Sequence, residues 1–221
     1  MAIEHALIMA GGRGMRMMPL TDVIPKAMAP YDGSTLIAKR IEKIKKIIPN
    51  IHITVGYKGA MLAKHVIENH VDSIFNTDGK DNCWWVFNTL MKNLDAPVCV
   101  LTCDNIVDLN YPLLEKDYHS LNQPACMVVP VKPIEGLDGD FIFQENNRVT
   151  ELSREKQGEV YCSGIQLLNP QKINSLMESC DNFYQLWQNL IKQNQLYCSN
   201  IYPDKWLAVD TLAQLDSANN Q

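Results

Sequence analysis

Short apolar runs alternate with stretches of helical spacing along the first half of the chain. Ala6-Leu7-Ile8-Met9 predicts a strand. Over residues 35–48, Leu36, Ile37, Ile41, Ile44, Ile47 and Ile48 recur at helical spacing with Lys and Arg opposite, which predicts a helix ended by Pro49-Asn50. Residues 51–55 predict a second strand, Gly56-Tyr57-Lys58-Gly59 a turn into a helix over 60–69, residues 72–76 a third strand, and 83–93 another helix. Val98-Cys99-Val100-Leu101-Thr102 is a continuous apolar run of the kind buried on both faces of a parallel sheet. This order predicts an α/β fold, a doubly wound and mostly parallel sheet with helices on both faces.

The pattern changes after residue 124. Strands are predicted at 125–131, at 140–144 and 148–152 around the turn residues Asn146-Asn147, and at 160–168, stopped by Asn169-Pro170. Helices follow near 171–178 and 183–193, then strands at 196–201 and 205–209, and a last helix from Thr211 onwards. With no linker or repeat, this reads as a single domain over 1–221. Residues 1–124 and 125–221 are expected to form its two halves, the second small and β-rich.

Ala10-Gly11-Gly12-Arg13-Gly14-Met15-Arg16, directly after the first strand, with Pro19-Leu20-Thr21 and Pro25-Lys26 beyond it, leads us to expect a nucleotide-binding half in 1–124, to which 125–221 adds an acceptor site or lid. Glycines let backbone N–H groups approach an anion, and Arg and Lys neutralise it. The prolines stiffen an excursion that returns Lys26 toward the glycines. The stretch lacks the Gly-Lys-Ser/Thr of a Walker A loop and the third glycine of the dinucleotide fingerprint. Taken alone it is a turn as readily as a phosphate loop. Asp104, just past the apolar run, stands where open α/β sheets collect ligands and where a carboxylate can hold a hard cation. By itself it is also an ordinary turn residue. Asp210 fits a helix N-cap equally well.

Bulk properties narrow the field only slightly. The chain has 221 residues, 46% hydrophobic and 20% charged, with a net charge of −5 that leaves no footprint for nucleic acid. Seven cysteines, scattered and without a C-x-x-C pair, read as reduced core thiols. The first residues pass straight into a strand and no apolar run is long enough to cross a bilayer, so the expectation is a cytoplasmic protein without signal peptide or membrane partner.

The glycine stretch resembles the signature of the sugar-1-phosphate nucleotidyltransferases, roughly G-G-x-G-x-R-x-x-P-L-T-x-x-x-P-K-x-x-x-P, with Met15 in place of the usual Thr or Ser. The resemblance implies a Rossmann-like fold and Mg²⁺-dependent transfer of a nucleotidyl group from a nucleoside triphosphate to a sugar 1-phosphate. It implies that Ala10, Gly11, Gly12 and Gly14 hold phosphates, that Arg16 and Lys26 act on the triphosphate, and that Asp104 and Asp210 bind the metal. The late motif Trp206-Leu207-Ala208-Val209-Asp210-Thr211 lacks the glycine usual after that Asp. Glu155-Lys156 and Ser163-Gly164-Ile165 match a later family segment, which implies acceptor contacts by Glu155 and Gly164 and a catalytic hold on the acceptor phosphate by Lys156. Asp140, in Gly139-Asp140-Phe141, resembles a sugar-contacting residue of short single-domain members such as the N-acetylmuramate-1-phosphate uridylyltransferases. Residues 76–90 depart from the usual G-T-G-G and resemble the phosphocholine cytidylyltransferases. There Asn76 and Asn82 become base contacts and Trp84 an acceptor contact. Two other readings stay open: a cytidylyltransferase acting on phosphocholine or another small phosphate monoester, and a non-catalytic nucleotide-sensing module. Base, acceptor and oligomeric state are open.

Overall fold

Alternation in the central strands sends successive side chains to two different cores. Ala6, Ile8, Cys99, Leu101, Met127 and Val129 enter one cluster, and Leu7, Val98, Val100, Cys126 and Val128 enter the other. Each face therefore needs a cover of helices. The computed structural model describes residues 2–134 and 139–220. Its first half runs β1 (His5–Ala10), α1 (Leu20–Val23), β2 (Pro30–Tyr31), β3 (Ser34–Thr35), α2 (Leu36–Lys45), β4 (Asn50–Val55), α3 (Gly59–Glu68), β5 (Ser73–Asn76), α4 (Trp84–Asn88), β6 (Val98–Thr102), β7 (Asn105–Asp108) and α5 (Tyr111–Ser120). Then come β8 (Cys126–Val131), β9 (Phe141–Glu145), β10 (Arg148–Ser153), β11 (Tyr161–Leu168), α6 (Pro170–Leu176), α7 (Phe183–Lys192), β12 (Leu196–Cys198), β13 (Lys205–Ala208) and α8 (Leu212–Asn219).

Nine strands form one sheet in the order β5-β4-β1-β6-β11-β8-β12-β10-β9. Pairing is parallel for β4 with β5, for β1 with β4 and β6, and for β8 with β12. Strands β10 and β11 run against their neighbours, so the other strands of this sheet all point one way. Helices α2, α3 and α5 cover one face and α4, α6 and α7 the other. The sheet is doubly wound and mostly parallel, and its strand order reverses at β1/β6, where such sheets bind ligands. A smaller cluster packs Leu215 and Ala218 of α8 with Met17 and Ala29 of the glycine-loop excursion and Val209. Among the described residues no helix is long and apolar enough to cross a membrane.

Three stretches differ from the sequence pattern. Residues 83–93 are split: α4 ends at Asn88, and a 3-10 turn, Leu90–Asn93, restarts under a cap in which Thr89 Oγ1 accepts from Met91 N–H. Between 103 and 124, β7 and α5 carry no long apolar run. The start of α5 is set by the Asn110 side chain, which caps Leu113 N–H, and by Pro112 in the first turn. The strand expected over 196–201 stops at Cys198, after which Ser199 and Asn200 turn to hydrogen-bond Asp117.

Candidate active site

The glycine loop leaves β1 at the reversal point. Ala10 N–H donates to Thr54 Oγ1 at 3.2 Å, and Gly11 C=O accepts from Tyr57 N–H at 3.0 Å. A Cβ on Gly56 would lie 2.6 Å from Gly11 O, so these two backbones are in direct contact. Gly14 has φ 66°, and a Cβ there would lie 2.7 Å from Lys26 Cβ; only glycine lets Lys26 pass. Thr21 Oγ1 donates to Gly14 O at 3.1 Å and Tyr57 Oη to Thr21 O at 3.0 Å, which ties the excursion down. Arg13 lies over the Tyr57 ring, 5.3 Å from its centroid. Tyr57 was not singled out in the sequence. Its signal is the Gly56-Tyr57 pair that directly follows β4.

Asp104 and Asp210 are brought together by a two-stranded ribbon. β7 pairs with β13 antiparallel, Asn105 opposite Ala208, and Val209 N–H donates to Asp104 C=O at 2.8 Å. The carboxylates flank Lys26: its Nζ donates to Asp104 Oδ2 at 2.7 Å and to Asp210 Oδ1 at 2.6 Å, and Arg16 adds a 2.9 Å contact to Asp210 Oδ1. Met9, Gly12, Gly14, Met15, Thr102 and Cys103 complete a pocket of about 360 Å³. Burial would push the Asp104 carboxyl up, but the charge and hydrogen bond of Lys26 hold it below the ordinary carboxylate value. Burial would likewise lower Lys26, and the two carboxylates hold it above the usual lysine value.

Thr211 directly after Asp210 is the N-cap of α8, not Asp210 itself. Its hydroxyl accepts from Gln214 N–H, while Gln214 Oε1 accepts from Thr211 N–H at 3.0 Å and Asp210 N–H at 2.7 Å. This capping box fixes the Asp210 backbone without a glycine and leaves its carboxylate to the pocket.

A second, larger cleft of about 840 Å³ is lined by Asn82, Asp140, Leu152, Ser153, Arg154, Glu155, Asn182, Phe183, Tyr184 and Trp187. Asp140 is nearly buried and accepts from Arg154 Nε at 2.9 Å. Asn82 Oδ1 accepts from Phe183 N–H at 3.0 Å, so it fastens α7 to the start of α4. β11 connects the two sites: Gly164, at φ 80°, packs against Thr102, and Tyr161 pairs with Phe141 beside Asp140. Lys156 stands apart, exposed, donating to Glu151 Oε2 at 2.8 Å and lying over the Phe143 ring. Asn76 and Trp84 line a separate shallow groove with Leu90 and Lys92, and Lys80 lies over Trp84. Trp85 is wholly buried.

The architecture and pocket define an α/β protein with a glycine-rich loop facing a carboxylate pair at a topological switch point. Residues 5–221 match the family model "Nucleotidyl transferase", and the chain belongs to that family. It is 33% identical over 153 residues to the bifunctional protein GlmU of Methanocaldococcus jannaschii, covering 69% of this chain and 36% of the relative. It is 27% identical over 208 residues to the mannose-1-phosphate guanyltransferase of Candida albicans, covering 86% of this chain and 57% of the relative. The chain thus spans well under two thirds of the length of either relative. Among solved structures, the inositol-1-phosphate CTP transferase from T. maritima superposes with TM-score 0.79 at 18% identity, covering 98% of this chain and 93% of that one. The CTP:phosphocholine cytidylyltransferase from Streptococcus pneumoniae gives 0.76 at 18%, covering 98% and 97%. At that identity the likeness establishes the shared fold.

Proposed function

We propose that this chain transfers a nucleotidyl group from a nucleoside triphosphate to a sugar or polyol 1-phosphate, with release of pyrophosphate. The observation that carries the reading is the convergence of Asp104, Asp210, Lys26 and Arg16 on one pocket beside Gly12 and Gly14. An acceptor phosphate oxygen attacks the α-phosphorus in line, and the bond to the bridging oxygen of pyrophosphate breaks. Catalysis is then positioning and charge neutralisation. Loop N–H groups and Arg16 hold the triphosphate, and Lys26 is placed to follow the charge that develops on the leaving group.

The residues fit a divalent cation. Two carboxylate oxygens lie within hydrogen-bond distance of a single ammonium nitrogen, so they can face a common ion. Asp104 and Asp210 would hold the ion, and Mg²⁺ ordinarily takes its remaining ligands from substrate phosphates and water. When bound, Mg²⁺ would neutralise phosphate charge and hold the two substrates in line.

In this reading 1–221 is one catalytic unit, with the donor bound by 1–124 and the acceptor by 125–221. The large cleft takes the acceptor, with Asp140, Glu155 and Asn182 for hydroxyl groups. Lys156 would have to leave Glu151 to meet a phosphate. Trp187 and Tyr184 beside Glu155 favour a second reading, a cationic acceptor such as phosphocholine. The test is pyrophosphate release with each of the four triphosphates against a panel of sugar 1-phosphates, inositol 1-phosphate and phosphocholine. Turnover is expected with one pair, lost on chelation of Mg²⁺ and lowered at least ~100-fold by Asp104→Asn or Asp210→Asn. Binding of triphosphate without turnover on any acceptor would instead identify a sensing module.

A further inference from the structure

Two thiols face each other at the wall of the large cleft. Cys83 directly precedes α4, and Cys180 lies in the segment leading into α7. Their Sγ atoms are 3.4 Å apart, and Cys83 Sγ also lies 3.3 Å from the Cys180 carbonyl oxygen. Both stand next to cleft-lining residues. Asn82 precedes Cys83, Asn182 and Phe183 follow Cys180, and Asn82 and Phe183 are already hydrogen-bonded across the same seam.

All seven cysteines are free thiols, and this pair is unlike the other five. Burial pushes Cys99 and Cys103 up to about 12 and raises Cys126, Cys162 and Cys198 as well. The hydrogen bond from Cys83 holds the Cys180 thiol below its ordinary value and raises Cys83 in return. Cys83 is wholly buried while Cys180 is partly exposed, so a small oxidant in solvent meets Cys180 first.

We propose that Cys180 and Cys83 form a hydroperoxide-responsive modification site whose disulfide locks the α4–α7 wall of the cleft. The Cys180 thiolate attacks the peroxide O–O bond, becomes a sulfenic acid and releases water. The Cys83 sulfur then attacks the Cys180 sulfur, the S–S bond forms, and the S–O bond breaks to release a second water that carries the Cys83 proton. Two thiols are oxidised and one hydrogen peroxide is reduced to two waters. The sulfurs must close from 3.4 Å to about 2.05 Å, a small approach of two segments already tied together. The lock's effect on catalysis rests on the cleft being the acceptor site; the disulfide itself does not.

The experiment treats reduced full-length protein with hydrogen peroxide and maps peptides without reduction. A Cys83–Cys180 crosslink, reversed by dithiothreitol, is expected. Cys83→Ser should leave a dimedone-trappable sulfenic acid at Cys180. Cys180→Ser, at the more exposed position, should leave Cys83 unmodified, and it keeps the test open if Cys83→Ser fails to fold. Free thiols at both positions after treatment, or Cys180 crosslinked to a different cysteine, would overturn the site. Oxidised protein should show a severalfold higher acceptor KM with triphosphate affinity unchanged. A crosslink that leaves this KM unchanged overturns the lock. Failure of the reduced protein to use any acceptor overturns the proposed function and leaves the crosslink readout standing.

Discussion

Lys26 is the residue on which the carboxylate pair depends in the absence of a metal ion. Replacing it with Met leaves Asp104 and Asp210 facing each other with only the exposed Arg16 nearby. Turnover should fall by about 100-fold or more, read as pyrophosphate release. The change also reverses a pH dependence. In the wild type the Asp104 carboxyl is depressed, so its contribution to stability is present above the unfolded carboxylate value and is lost as pH falls through the folded one. Without Lys26, burial dominates and the same group opposes folding as pH rises through the carboxylate range. Urea midpoints measured from pH 3 to 7 on both proteins should diverge as the pH rises (roughly above the ordinary Asp value near 4). Gly14→Ala belongs to this scale too: a Cβ 2.7 Å from Lys26 Cβ in a left-handed conformation should displace Lys26 and abolish turnover. The glycines and Lys26 could be singled out from their spacing after β1, whereas Asp104 and Asp210 each read alone as a turn or cap residue and were singled out only through the family resemblance. Tyr57 was not, since its hydroxyl bonds the Thr21 carbonyl, which only the folded chain brings near; Gln214 carries a local signal, three residues after Thr211 in a capping-box pattern.

At the scale of elements, the β7–β13 ribbon and the α8 capping box set the approach of the two carboxylates. Thr211→Ala should cost about 1 kcal/mol in a denaturant melt and lower turnover through misorientation of Asp210. A second element-level prediction concerns β1 and β4. His52 is lowered to about 4, by burial first and by His5 second; His5 Nδ1 lies 3.1 Å from its Nε2. A depressed value means the unfolded chain takes up the proton first as pH falls below about 6.5, so stability is lost between there and pH 4. His52→Gln should flatten the pH dependence of the urea midpoint across that window. The strands of the first half could be read from their continuous apolar runs. β7 and α5 could not. β7 is a short ribbon strand whose partner lies about a hundred residues away, and α5 is defined by its Asn110 cap and by packing of Tyr111, Leu114 and Tyr118, not by a strong apolar stripe.

For the whole molecule, the two halves each lend a residue to the other's site: Asp210 completes the pocket of the first half and Asn82 lines the cleft of the second. A fragment of residues 1–124 would leave β6, buried on both faces, as a sheet edge stripped of β11. It should aggregate on sedimentation and show no pyrophosphate release. The doubly wound class was readable because the apolar runs of the first half alternate with stretches of helical spacing. The sheet's continuation through the antiparallel β11 was not, because strand neighbours depend on long-range pairing. The same holds for Lys156, whose family motif survives while its ammonium pairs with Glu151 at the surface.

The β7–β13 ribbon also sets an order in time. Asp104 leaves the ribosome long before Asp210, and every strand of the large sheet is made in between or earlier. No growing chain holds both carboxylates until the sheet that supports them has been synthesised. A chain cut short before Asp210 therefore lacks the carboxylate pair, and under the proposed function it would transfer no nucleotidyl group.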